Sequence, residues 1–271
     1  MAGTSIYSVY RRTARAAAKQ QVVKKTSNID VERARVDFAY FCDVVGDKPP
    51  ASHHKQWHKY LCTGDSSECL VGIAGPNIDI LAPRGSAKST VLGLFTAWSI
   101  GVHALKRMPL KILYISYTVD VARPKSAAIK RIIEESKTYK EVFPTVKIAK
   151  GINSNEYWSI DWKFAGIKST GEEEFTVCCA GLKGAVTSKR SHLCIIDDAI
   201  KSADDIKNRD IRQAMEDNWN AVIVPTMFEG GRAVCLGTRF RHDDIHNTTF
   251  TPANDWVQII QSAITVDKNG D

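Results

Sequence analysis

A short apolar run, Asn77-Ile78-Asp79-Ile80-Leu81-Ala82, passes through the loop Pro83-Arg84-Gly85-Ser86-Ala87-Lys88-Ser89-Thr90 into a long apolar stretch that continues to about residue 105. The first part reads as a strand and the last as a helix, with only a loop of small residues between them. A strand that feeds straight into a helix commits the chain to an α/β layer, because the helix must fold back over one face of the sheet. The alternation then repeats. Apolar runs at 111–117, 175–179, 192–196, 232–236 and 256–263 read as strands, and 119–136 and 208–227 as helices. The strands are apolar on both faces, the pattern of a mostly parallel central sheet with helices on both faces. Upstream, Val31, Ala34, Phe38, Phe41 and Val45 predict one helix over 31–45, and a second is expected over 52–61, beyond Pro49-Pro50. Gly, Asn and Trp break any period over 140–175.

The chain has 271 residues, 44% of them hydrophobic, enough to bury the core such a sheet needs. Its net charge of +7 leans towards a polyanionic partner without deciding for one. Residues 1–30 form a basic arm: Arg11, Arg12, Arg15, Lys19, Lys24 and Lys25 occur with no acid in the first 25 residues. A solvated mobile arm, an arm for DNA or a partner subunit, and an organelle transit peptide all fit. The seven cysteines include no CxxC pair, and His53-His54 with the distant Cys62 and Cys69 are too sparse for a zinc site. Buried, reduced thiols of an intracellular protein are expected. No apolar stretch reaches the ~18 residues of a membrane span.

The loop fits a Walker A pattern, G-x-x-x-x-G-K-S/T, in the register Ala82 to Ser89, with Ala82 and Ala87 in place of both outer glycines. The physics tolerates the change. Backbone N–H groups at the helix start still converge on phosphates, Gly85 supplies flexibility, and Ala87 is acceptable if its φ stays negative. Lys88 is then expected on the β- and γ-phosphates of ATP, and Ser89 on Mg²⁺. The structural alternative is a plain helix N-terminus with a nearby lysine. A second motif bears on the choice: His192-Leu193-Cys194-Ile195-Ile196 is closed by Asp197 and Asp198. Two acids at the carboxyl end of a buried parallel strand sit where open α/β sheets bind ligands. This is the expected Walker B, Asp197 holding Mg²⁺ and Asp198 polarising the attacking water, the alternative being a simple acidic turn. Glu216, Asp204 and Asp205 are fallback bases. The 111–117 strand fits the insertion between the two motif strands that defines the additional-strand (ASCE, RecA-like) P-loop NTPases.

PRGSAKST, ISYTVDVARPKSAAIKRIIEES, TSKRSHLCIIDDAI and VCLGTRFRHDDIH, in that order, resemble the packaging ATPase of tailed-phage large terminases over roughly residues 50–265. The resemblance implies an ATPase motor that moves double-stranded DNA into a procapsid, with 31–65 a helical, adenine-side lead-in and 66–271 the ATPase core. It implies that Arg84 acts in cis on the γ-phosphate and that Thr238 couples hydrolysis to movement. Gln56 matches the adenine-reading position, and Gly85, Ser86, Ala87 and Thr90 complete the nucleotide loop. Arg190 is the weakly supported finger for a neighbour's ATP, with Lys189, Arg209, Arg212 and Arg239 competing. The implied partners are DNA held through its phosphates, the portal protein, the small terminase subunit and further copies in a ring, in the cytoplasm of an infected bacterium. Arg239, Arg241, His242, Lys125 and Lys130 are possible DNA contacts. Lys268-Asn269-Gly270-Asp271 reads as a loop, and the expectation is one domain of a longer chain, without the family's RNase H-type nuclease. A superfamily 2 helicase shares the sheet and both motifs but carries a D-E-x-D/H pattern where this chain has Asp197-Asp198-Ala199-Ile200. A nucleotide-binding module without turnover also remains open.

Overall fold

The computed structural model describes residues 29–46, 49–62, 75–169, 171, 174–184, 186 and 189–262. The basic arm over 1–28, Cys69 and the closing run over 263–271 lie outside the described residues.

Three helices lead in: α1 (Val31–Val36), α2 (Phe38–Val45) and α3 (Ser52–Leu61). The helix expected over 31–45 is thus two. Asp37 is extended, and its carboxylate accepts from the Tyr40 N–H at 2.9 Å to cap α2. Asp offers the backbone this alternative to a continuous helix, while the apolar spacing runs on unbroken across it. The sheet and its crossovers follow as β1 (Asn77–Leu81), α4 (Lys88–Leu105), β2 (Ile112–Ser116), α5 (Val119–Glu135), α6 (Lys137–Val142), β3 (Ile148–Asn153), β4 (Tyr157–Ile160), α7 (Trp162–Ala165), β5 (Val177–Gly181), β6 (Ser191–Asp197), α8 (Arg209–Asn218), β7 (Met227–Gly237), α9 (Ile245–Thr248) and β8 (Trp256–Ile260).

The strand order is β3-β4-β5-β2-β6-β7-β1-β8. The six strands from β5 to β8 pair in parallel, and β4 and β3 extend that edge antiparallel. One expectation is corrected here. The strand at 111–117, β2, lies outside β6 rather than between the two motif strands; β7 fills that place, with Val234 opposite both Ile78 and Ile195. Sequence order misleads because the crossover through α4 carries the chain past two strand positions before β2 is laid down. The predicted helix at 208–227 also ends early. After Asn218 the backbone loosens into one π turn, Trp219–Ile223, and a 3₁₀ turn, Val224–Thr226, where Pro225 removes a helical donor.

Each face of the sheet has its own core. On one, Ile78, Ile80 and Val234 pack with Trp57, Phe95 and Trp98; on the other, Leu113, Ile115 and Ile196 pack with Met215, Trp219 and Ile223. Helix α4 is apolar nearly all round because it is covered by the sheet and by α2 and α5 as well. Among the described residues no helix is long and apolar enough to cross a membrane. The parallel arrangement brings the carboxyl ends of β1, β6 and β7 to one edge, where the chain's unusual polar residues gather.

Candidate functional site

Between β1 and α4 the backbone turns through two left-handed residues, Gly85 (φ 81°) and Ala87 (φ 59°). The expectation that Ala87 keeps a negative φ is therefore corrected. The residue just before α4 must reverse the chain for the helix to start there, and a non-glycine residue does so at a cost of about 1–2 kcal/mol. Lys88 opens α4 almost fully buried, its Nζ donating to the carbonyls of Ala82 (3.1 Å) and Pro83 (2.9 Å). Burial pushes its pKa down, against the pull of Asp198 and Asp197. The Ser86 hydroxyl donates to Pro83 O at 2.7 Å, closing the turn.

Asp197 ends β6 with no exposed surface. Its Oδ1 accepts from Ser89 Oγ at 2.9 Å, and its Oδ2 accepts from the Tyr114 hydroxyl at 2.8 Å and from Lys125 Nζ at 3.0 Å. Lys125 also donates to Asp197 O (3.0 Å) and Ser116 Oγ (3.2 Å). Asp198 follows in left-handed backbone (φ 51°), its N–H donating to Leu236 O on β7 at 3.0 Å. Burial raises its carboxyl pKa and the Asp197 charge adds to this, with Lys88 and Lys125 opposing. The Thr238 hydroxyl, just past β7, donates to Ala82 O at 3.2 Å and so ties the end of β7 to the loop.

These groups line a cleft of about 430 Å³, with Arg84, Gly85, Ala87, Lys88, Ser89 and Thr90 on the loop side and Tyr117, Lys125, Asp198 and Thr238 opposite. Arg84 stands exposed at the rim, donating to Lys201 O at 2.8 Å with its guanidinium 5.5 Å from the Phe240 ring. Ser89 and Asp197 offer hard oxygen donors side by side, the donor chemistry that suits Mg²⁺.

Other sequence candidates are not brought here. Gln56 lies exposed on α3 and is not part of the cleft wall. Residues two apart point to different sides of a helix, and it is His54 that faces the loop, Nε2 at 2.8 Å from Ser86 O. Its Nδ1 accepts from the Ala51 N–H at 3.1 Å, so the proton sits on Nε2 and is donated to Ser86. Burial lowers the His54 pKa and so favours that neutral form. Arg190 precedes β6, at the opposite end of the strand from Asp197, exposed with its guanidinium 4.8 Å from the Phe228 ring. A strand of that length spans roughly 20 Å, so Arg190 cannot reach its own cleft. Arg212 is tied to Asp243 at 2.7 Å. The fallback bases are engaged elsewhere: Glu216 accepts from Thr248 Oγ1, Asp204 pairs with Lys207, and Asp205 accepts from Ser202. Lys125 and Lys130 do not stand on the open surface. Lys125 turns into the cleft, and Lys130 is buried against Asn153 (Nζ to Oδ1, 2.8 Å).

Among the described residues, a second polar group lies beneath the same sheet edge. His246 Nδ1 is 3.0 Å from Asp79 Oδ1, Gln258 Nε2 donates to Asp79 Oδ2 at 3.1 Å, and Cys235 lies alongside, with Asp79, Cys235 and His246 fully buried. Burial holds the Cys235 thiol protonated, far from a metal-binding thiolate. The His246 ring packs against Gly237, where any side chain would collide with it. Sequence reading missed this network, although an acid at Asp79 inside an apolar strand was a visible signal.

No family model matches the chain, and no curated protein sequence matches it. Among solved structures, the chain is similar to the crystal structure of the HK97 bacteriophage large terminase, with a TM-score of 0.49 and 13% sequence identity over 89% of this chain. The match spans 46% of that chain, less than half its length.

Proposed function

We propose that this chain is an ATP-hydrolysing motor domain of the additional-strand P-loop type, acting as the DNA-packaging ATPase of a large terminase. The Ser89–Asp197 hydrogen bond carries the reading: it joins the start of α4 to the end of β6 at 2.9 Å, across a strand that separates them, with Lys88 and Asp198 on the same cleft. That is the relation a Walker A serine and a Walker B aspartate need in order to share one cation.

In this reading the loop N–H groups and the start of α4 cradle the ATP phosphates. Lys88 leaves the carbonyls of Ala82 and Pro83 for the β- and γ-oxygens, and Arg84 turns from Lys201 to the γ-phosphate. Ser89 and Asp197 hold Mg²⁺, which when bound neutralises phosphate charge. Asp198 orients the attacking water and accepts its proton. Loss of the γ-phosphate is felt at Thr238 through its bond to Ala82 O and passed to β7. DNA, gripped through its phosphates and without base readout, the portal protein, the small terminase subunit and a ring of like subunits are the proposed partners. Arg190, out of reach of its own cleft, serves a neighbour's nucleotide.

Steady-state ATPase assays test the site. Lys88→Ala and Ser89→Ala are expected to lose turnover, and rates equal to wild type would sink the assignment. Mixing tests the finger: Lys88→Ala and Arg190→Ala proteins, each inactive alone, are expected to recover part of the activity together, whereas a full-rate Arg190→Ala protein rules that arginine out.

A further inference from the structure

We propose that Lys125 is an exchangeable counter-ion: its ammonium neutralises Asp197 while no divalent cation is bound, and yields that carboxylate when one arrives. The inference rests on reading the cleft as a Mg²⁺–ATP site, and assigns it a residue outside both motifs.

A wholly buried carboxylate is unfavourable unless donors and a positive charge compensate it. Ser89 and Tyr114 give Asp197 two neutral donors. The direct ion pair comes from Lys125; Lys88 acts on Asp197 only through space, its Nζ being engaged by the carbonyls of Ala82 and Pro83. Lys125 reaches in from α5 with 19% of its side chain exposed, and it lines the cleft. Its head is therefore free to turn towards an incoming ligand in a way a sealed core lysine is not. Its bonds to Asp197 O and Ser116 Oγ keep the ammonium at the cleft floor after the carboxylate oxygen is given up. A cation held by Ser89 and Asp197 would sit beside that ammonium, and like charges at such range repel. The lysine must then move off the carboxylate, and Asp198 and the phosphates of the bound nucleotide are the anions it meets in this reading. Two consequences follow: the empty site stays folded without metal, and Mg²⁺ must displace a resident charge to bind.

The test uses the full chain as wild type, Lys125→Met and Lys125→Arg. Thermal unfolding is followed in EDTA and in Mg²⁺, and binding of a fluorescent ADP analogue is followed across a Mg²⁺ titration. Lys125→Met is expected to melt below wild type in EDTA, to recover most of the deficit in Mg²⁺, and to need at least about threefold less Mg²⁺ for half-saturation. Lys125→Arg, whose planar fork grips a carboxylate more firmly, is expected to shift the requirement the other way by about as much. The Arg variant decides the matter alone if the Met variant does not fold. Superimposable Mg²⁺ curves for folded variants that bind the nucleotide overturn the counter-ion role and leave the ATP site standing. A wild-type chain that binds no nucleotide at any Mg²⁺ concentration overturns both.

Discussion

Ala87 and Asp198 are two of the four non-glycine residues with positive φ among the described residues, and both face the cleft. Each places a side chain where glycine or asparagine would sit more easily. At Ala87 two effects compete. Replacing it with glycine relieves about 1–2 kcal/mol of left-handed strain but loosens the unfolded chain by about 0.4–1 kcal/mol. Relief of strain outweighs the loosening, so Ala87→Gly is expected to gain up to about 1.5 kcal/mol, read as a higher denaturant midpoint at unchanged slope. A lower midpoint would mean that the turn does not strain Ala87. At Asp198 the charge matters too. Its folded pKa is raised, chiefly by burial, so the folded state holds its proton more tightly than the unfolded chain does. Stability is therefore lost as pH climbs from the unfolded carboxylate value through the folded one, and above that window the ionised group destabilises the fold. Asp198→Asn removes the charge and suits φ 51° better. It is expected to melt higher than wild type at pH 7, with the gain fading in acid, while turnover disappears. A mutant that hydrolyses ATP normally would move the base elsewhere.

Among the elements, α3 sets one wall of the loop through His54, and it is held in place from the far side of the molecule. Arg232 on β7, with no exposed surface, donates to the carbonyls of Pro76 (2.8 Å), Leu61 (2.9 Å) and Tyr60 (2.7 Å), fixing the end of α3 and the entry to β1. A cation at a helix carboxyl end is favourable, and three carbonyls share it. Arg232→Met leaves those acceptors buried at about 1–3 kcal/mol each, so the melting temperature should fall markedly, and nucleotide affinity with it if His54 steadies the loop. No signal in the sequence tells which carbonyls Arg232 meets; the same limit governs much of the rest. The bounds of α3, β1 and α5 were legible because apolar period and flanking polar residues agree there. Strand β3 was not, since none of its residues is buried and they carry no hydrophobic pattern. Residues that share one stretch of backbone, such as Arg84 to Thr90 or Asp197 with Asp198, meet because local geometry brings them together. Lys125 and Tyr114 reach Asp197 only through tertiary packing, and Gln56 misses the loop by the phase of a single helix.

At the scale of the molecule, the Asp79–His246 pair joins β1 to α9, and Gln258 brings in β8. Burial pushes the His246 pKa down, but the Asp79 charge and hydrogen bond outweigh it, and the net shift is upward. The pair's contribution is therefore complete below the unfolded histidine value of about 6.5 and is lost as pH rises through the folded one. Wild type is expected to lose melting temperature over that alkaline window and His246→Asn to show a flatter profile; parallel profiles would mean the imidazole is neutral throughout. Sheet order has a consequence of a different kind, in time. The ribosome delivers β1 first, β6 much later, and only afterwards β7, which must slot between them. Until Gly237 has emerged, a nascent chain carries both the Lys88-Ser89 loop and the Asp197-Asp198 pair yet has nothing to space them, and β1 and β6 have no ladder to share. Such a half-made protein is expected to ignore nucleotide, because Ser89 and Asp197 cannot yet be held across β7 at hydrogen-bond distance.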